Sequence, residues 1–193
     1  LVLTGQINDV GAYTRTNIPE SYRAGIELQG SANFTNWLNV SGNITLSRNK
    51  VKNFTEYFDD YDAGGQKTNF YESADIAFSP AVIGGAIVSF VPVKNGEISF
   101  MSKYVSRQYL DNTSSHSRSL NPYFVEDVRL SYTVRNRLFK STTLALQVSN
   151  LFNKKYEANG YTFSYVYGGE LVTENYYFPM AERNVMFALN IGL

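Results

Sequence analysis

Few stretches of this chain carry residue types that could do chemistry. The most charged is Phe54-Thr55-Glu56-Tyr57-Phe58-Asp59-Asp60-Tyr61-Asp62-Ala63-Gly64-Gly65. Its carboxylates Asp59, Asp60 and Asp62 offer hard oxygen ligands of the kind Ca²⁺ takes, but the spacing lacks the 1-3-5-12 order of an EF-hand. The plainer expectation is a solvated acidic loop in which Tyr57, Asp59, Asp60 and Tyr61 are available to a ligand. The single histidine, His116, lies in Asn112-Thr113-Ser114-Ser115-His116-Ser117. Alone among serines it makes neither a metal site nor a catalytic dyad, and the run reads as a flexible loop.

The second candidate stretch is aromatic. Tyr156, Tyr161, Phe163, Tyr165, Tyr167, Tyr176, Tyr177 and Phe178 crowd the segment before the last strand. Stacked rings can grip a flat ligand such as a catecholate, a haem or a sugar. Tyr161, Phe163, Tyr165 and Tyr167 alternate, so they also predict a β-hairpin rising beyond the wall. Candidate ligand contacts are therefore Tyr57, Asp59, Asp60, Tyr61, Tyr161, Tyr165, Tyr167 and Tyr177. No Gly-rich phosphate loop, H-E-x-x-H or G-x-S-x-G is present, and no enzyme is expected. Asp127 and Arg129, two apart on one strand, read as a charge ladder rather than an active site. No cofactor or metal is expected.

Composition narrows the setting. The 193 residues carry 17 Lys+Arg and 17 Asp+Glu, so no basic excess points to nucleic acid. Cysteine is absent, which excludes disulfides and thiolate metal sites. Mean hydropathy is −0.25. No apolar run reaches the ~18 residues of a membrane helix, yet a membrane β-barrel stays polar on average because only one residue in two faces lipid.

The elements that must position these residues follow a period of two. In Tyr22–Phe34 the even positions are apolar and the odd ones polar or small. Leu38–Arg48 repeats the pattern after the tight turn Thr35-Asn36-Trp37. Ala77–Val91 and Glu97–Gln108 form a second pair around Pro92–Gly96, where Asn-Gly is a hairpin signal. Phe124–Val134 and Thr142–Asn150 form a third around Arg135–Lys140. Val185–Leu193 closes the chain, and Leu1–Gln6 reads as the tail of another strand. Several runs reach about ten residues, the length that crosses a bilayer obliquely. Connections at 35–37, 92–96 and 135–140 are short, whereas 8–20, 49–74, 109–122 and 151–182 are long. Such alternation means strands running up and down, as in outer-membrane barrels. Tyr22, Phe34, Trp37, Tyr104, Phe124 and Phe139 sit near strand ends as interfacial anchors would. A soluble β-sandwich would share the alternation but not the strand lengths.

The C-terminal stretch Val148-Ser149-Asn150-Leu151-Phe152-Asn153-Lys154-Lys155-Tyr156 resembles the N-L-F-N-K-x-Y signature of TonB-dependent outer-membrane receptors. Tyr177-Phe178-Pro179-Met180-Ala181-Glu182-Arg183-Asn184 is similar to their Y-x-P-x-x-G-R-x entry to the last strand, with Glu182 in place of the usual Gly. Ser21-Tyr22-Arg23-Ala24-Gly25-Ile26-Glu27-Leu28 resembles a recurrent mid-barrel strand, and the general flavour is that of Bacteroidetes members. The chain ends in Leu193 where such receptors usually end in Phe.

The resemblance implies an all-β, antiparallel, up-and-down transmembrane β-barrel of ~22 strands around an N-terminal plug. Residues 1–193 would supply roughly its last seven or eight strands, without the plug. Leu1-Val2-Leu3-Thr4 has no initiator Met and no signal-peptide character, so the chain reads as starting inside a longer protein. Implied partners are outer-membrane lipid, the plug and remaining strands, the TonB complex, and a scarce small-molecule or glycan ligand such as a siderophore, haem or cobalamin. The implied location is the Gram-negative outer membrane. Two other classes are weighed beside it: a complete eight-stranded barrel with a structural or adhesion role, and a barrel hydrolase, against which the lone His116 counts.

Overall fold

The computed structural model describes residues 2–18, 20–135 and 139–192. Its strands in chain order are β1 (Val2–Ile7), β2 (Tyr13–Thr16), β3 (Ser21–Asn33), β4 (Leu38–Asp60), β5 (Gln66–Asp75), β6 (Val82–Val93), β7 (Gly96–Val105), β8 (Gln108–Tyr109), β9 (Ser119–Leu120), β10 (Tyr123–Val134), β11 (Ser141–Ser149), β12 (Glu157–Tyr167), β13 (Glu170–Pro179) and β14 (Asn184–Gly192). The fold is all-β, and no helix is long and apolar enough to cross a membrane, which says nothing about crossing by strands.

Seven strands make one antiparallel wall in the order β3-β4-β6-β7-β10-β11-β14. Registers across it set the two faces. Leu28, Ile44, Gly84, Tyr104 and Phe124 form one continuous row, and Leu38, Phe90, Ile98, Leu130, Leu146 and Phe187 another. These side chains are exposed or half-buried and nearly all apolar, which suits lipid and not water. The opposite face carries the row Asn33, Asn39, Ser89, Ser99, Arg129 and Gln147, as a wet lumen requires. Along it Ser99 donates to Glu97 at 2.6 Å and shares a hydrogen bond with Ser89 at 2.9 Å. At the short-turn end, Trp37 stacks on Phe90 with centroids 6.2 Å apart.

Four expectations change. First, the tail expected at Leu1–Gln6 does not extend the wall where it is described, from Val2 on: among the described residues β1 pairs with β2 in a separate two-stranded sheet. Second, residues 49–74 are not a loop. β4 runs on to Asp60, and β5 returns along it in register from Asp59↔Gln66 to Lys50↔Asp75. Burial changes parity on the way: Asn49 and Val51 are buried, then Phe54, Glu56, Phe58 and Asp60. The covered face changes at Asn53, which takes φ +51°, a conformation Asn tolerates better than most residues, while the register with β5 runs unshifted from Lys52↔Ser73 to Phe54↔Tyr71. Third, the strand expected from Ala77 starts at Val82, since Phe78 takes φ +51° and Pro80 has no N–H for a ladder. Fourth, the strand expected to reach Gln108 stops at Val105.

The turn expected at Arg135–Lys140 includes residues 136–138, which lie outside the described residues, as does the terminal Leu193. Beyond the wall, Val51, Phe54 and Ala74 form a small core, with Val2, Ile18, Tyr71 and Ile76 against it. Removing one such ring from water is worth about 2–3 kcal/mol. Gly5 lets β1 approach this layer, for at φ +85° a Cβ there would lie 2.0 Å from the Tyr57 carbonyl oxygen.

Candidate functional site

Two long hairpins, β4–β5 and β12–β13, meet above the wall. β3 leaves the edge of β4 at Val51, and near its tip β4 gains a parallel partner in β12, with Tyr165 beside Asp59 and Val166 beside Asp60. The Tyr61 N–H donates to the Val166 carbonyl at 3.0 Å. Asp62 fastens the two tips, accepting from Gly168 N–H at 3.0 Å and Gly169 N–H at 2.7 Å. Both glycines have positive φ, the geometry a two-residue hairpin turn demands.

The acidic stretch is therefore not a free loop but the end of β4 and its turn, with Asp60 buried and Asp62 exposed at the tip. Asp60 is buried and accepts from the Asp62 and Ala63 N–H groups, while the Lys67 ammonium lies 2.7 Å from it. The Lys67 hydrogen bond holds the Asp60 carboxyl below the usual carboxylate range. Asp59 accepts from Gln66 at 3.0 Å and from Tyr13 OH at 3.2 Å. Tyr57 is half-buried on the flank that meets β1. Three of the sequence candidates thus brace the hairpin. Among the described residues no group of three His, Asp or Glu side chains converges as a metal site would need.

The aromatic candidates divide by strand parity. Tyr161, Phe163, Tyr165 and Tyr167 share one face of the hairpin with Phe178, Tyr176 and Glu174 of β13. Tyr177, opposite Gly160, lies on the other face. Ring centroids run Tyr61–Tyr165 at 5.3 Å, Tyr165–Phe163 at 6.0 Å, Phe163–Tyr176 at 6.0 Å, Tyr176–Tyr161 at 4.9 Å and Tyr161–Phe178 at 6.1 Å. This is one contiguous array, and most of its rings are more than 40% exposed. Tyr61 enters it only through the docking of the tips. Glu174 sits inside it, accepting from Tyr165 OH at 2.7 Å and Tyr176 OH at 2.5 Å. Those hydroxyls hold the Glu174 carboxyl below its ordinary range, and the carboxylate in turn pushes both phenols up. An electron-rich, half-solvated ring surface with one fixed carboxylate can stack a flat ligand and accept hydrogen bonds from it.

The other hairpin face packs down on the segment between β8 and β9. Asn175 donates to the Ser117 carbonyl at 2.8 Å, and the absence of a side chain at Gly160 admits Leu110. The Ser-rich run is not free either. Asn112 accepts from Ala77 N–H at 2.8 Å, and Ser114 both accepts from Asp75 N–H at 2.6 Å and donates to its carboxylate at 2.9 Å. Its anchor is Arg118, buried, paired with Glu56 and lying 3.0 Å from Asp111. Burial pulls the Arg118 pKa down, yet Glu56 and Asp111 together carry it above its usual value. Tyr71 OH donates to Glu56 at 2.9 Å; burial, then the Glu56 charge, pushes this phenol up to about 12. A cavity of about 110 Å³ opens here between Tyr13, Phe54, Phe58, Arg118 and Thr162. His116 is exposed, its ring 6.1 Å from Tyr109.

Sequence reasoning missed Glu174 and Arg118. The signal for Glu174 was parity: it is two residues before Tyr176 on an alternating strand. Arg118 gave no local signal, since its partners are Asp111 and the distant Glu56.

The family model "TonB dependent receptor-like, beta-barrel" matches residues 1–151. Among solved structures, the siderophore receptor PiuA from Acinetobacter baumannii is similar with TM-score 0.67 and 17% identity, over 89% of this chain and 22% of that one. The ferric-catecholate import receptor Fiu from E. coli K12, in a closed form, gives TM-score 0.57 and 19% identity, over 95% and 22%. The chain thus spans about a fifth of the length of these structures. No match was found among curated proteins.

Proposed function

This chain belongs to the TonB-dependent receptor-like β-barrel family, and we propose on that basis that it forms the C-terminal wall and part of the ligand vestibule of an outer-membrane receptor in a Gram-negative cell. Receptors of this family are transporters, not enzymes. The intact protein would take up a scarce ligand, a siderophore complex, haem, cobalamin or a glycan, with energy relayed through TonB. A plug and further strands would complete the barrel around residues 1–193. The wall of seven strands supports this: among the described residues β3 and β14 are each paired on one side only, and an odd count does not suit a bacterial barrel closed on itself.

The observation that carries the vestibule reading is the exposed ring array around Glu174 above a polar lumen. Single-chain binding is not expected from one part of a vestibule, so the test uses the full-length receptor. Phe163→Ala and Tyr176→Ala each remove a central ring. Each should weaken ligand binding on the order of tenfold while leaving the amount of folded receptor in the membrane unchanged. Unchanged ligand binding and uptake in the double variant would sink the vestibule role.

A further inference from the structure

The segment that follows β11 is built more firmly than a connection needs to be. Asn150 and Asn153 both take positive φ, at +53° and +52°. The Asn150 side chain accepts from Lys154 N–H at 2.8 Å and donates to the carbonyls of Lys154 at 2.9 Å and Ala181 at 3.2 Å. Asn153 accepts from the Arg183 N–H at 2.8 Å. What this fixed turn holds out is unusual for a water-facing surface. Phe152 is 68% exposed, and Lys154 and Lys155 are exposed beside it.

Phe152, Lys154 and Lys155 border a groove of about 580 Å³ with Tyr104, Tyr123 and Phe124. Tyr104 and Phe124 belong to the outward, apolar face of the wall and end it where β11 stops. The groove therefore has ring walls continuous with the lipid face and two ammonium groups on its rim. Lys155 makes only a 3.4 Å contact to the exposed Glu182, and Lys154 makes no ion pair among the described residues. These cations stand out locally, because from Tyr156 to Glu182 the sequence has no lysine or arginine.

We propose that this groove binds a phosphorylated lipid of the surrounding leaflet, with phosphate at Lys154 and Lys155 and acyl chain against Tyr104, Phe124 and Phe152. The proposal rests on the reading that this face of the wall meets lipid. Lysines at a membrane surface attract anionic headgroups, and amphipathic rings favour the same depth.

The test reconstitutes the full-length receptor into phosphatidylcholine vesicles with a minority of a diphosphorylated glucosamine-based lipid or its dephosphorylated form. Lipid retained by the receptor is measured by native mass spectrometry. The Lys154→Gln/Lys155→Gln variant should retain the phosphorylated lipid on the order of tenfold less than wild type, and the dephosphorylated lipid equally. Lys154→Arg/Lys155→Arg should match wild type, which separates charge from misfolding, and Phe152→Ala should lower retention of both lipids. Equal retention of the phosphorylated lipid by wild type and the Gln variant would overturn the proposal. So would its displacement by inorganic phosphate alone, which would identify a free-anion site. A wild-type receptor that enters neither vesicle would overturn the barrel reading as well.

Discussion

Replacing Arg118 with Met should undock the segment between Val105 and Tyr123 without unfolding the wall. Arg118 is 6% exposed at its side chain, and its partners Glu56 and Asp111 are 11% and 24% exposed. Deleting one member of a buried pair leaves the other charge in a poor solvent, at about 3–5 kcal/mol. Asp111 is open enough to water for the lower end to apply. About 3 kcal/mol off the opening free energy corresponds to roughly hundredfold faster amide exchange in this segment. Hydrogen exchange read by mass spectrometry on the folded receptor would show this in peptides covering 106–122, while peptides from β10 and β11 keep their protection. Glu56→Gln combined with Arg118→Met should recover part of the loss, because the orphaned charge is gone. Arg118→Lys should recover part of it, since both carboxylates meet a single guanidinium nitrogen, Nη1, and an ammonium keeps that charge. Exchange in 106–122 that stays at the wild-type rate in Arg118→Met would refute the clasp.

Three other perturbations probe separate layers. Ile44→Arg puts a cation on the outward row between Leu28 and Gly84, and it should cost about 2–4 kcal/mol of barrel stability in a bilayer, seen as a lower denaturant midpoint in vesicles. Gly5→Ala should detach β1–β2, since its Cβ meets the Tyr57 carbonyl, and protease cleavage within residues 2–18 should then rise in the folded receptor with the wall intact. On pH, Asp60 has a depressed folded pKa, so its contribution is present above the unfolded value of 3.8 and is lost as pH falls through the lower folded one. Tyr71 is the reverse case: its contribution is present below pH 10.0 and is lost as pH rises through about 12. Exchange at the β4–β5 tip should therefore stay protected from neutral pH down to about 5, and phenolate absorbance of Tyr71, isolated by Tyr71→Phe difference, should appear only near pH 12.

The wall was legible because lipid on one side and a polar lumen on the other impose a strict period of two. Tyr22–Phe34 and Leu38–Arg48 show it residue by residue, and the short turns between strands carry their own signals. What lies above the wall obeys another rule. There β4 buries first odd and then even positions across Asn53, and no alternation test survives a change of covered face within one strand. The carboxylates of 59–62 looked free because their partners, Gly168, Gly169 and Lys67, cannot be assigned until two hairpins are known to meet. The same holds for the serines of 114–117. The ring array was half legible: alternation aligns Tyr161, Phe163, Tyr165 and Tyr167, but the β12–β13 register is needed to put Tyr177 on the other face, and only the docked tips bring in Tyr61.

β4 is a single strand of 23 residues shared by the wall and the layer above it. The lower part pairs with β3 and β6 and the upper part with β5 and β12, without a break in its ladder. The rings themselves sit on β12 and β13, which meet β4 at Tyr165↔Asp59 and Val166↔Asp60 and through the Asp62 contacts to Gly168 and Gly169. A ligand stacking on those rings, as proposed, would meet a surface braced at its tip, so Asp62→Ala should raise the entropy lost on ordering it. Capture should then be governed by encounter rather than by closure, with association rates that follow solvent viscosity and ligand charge.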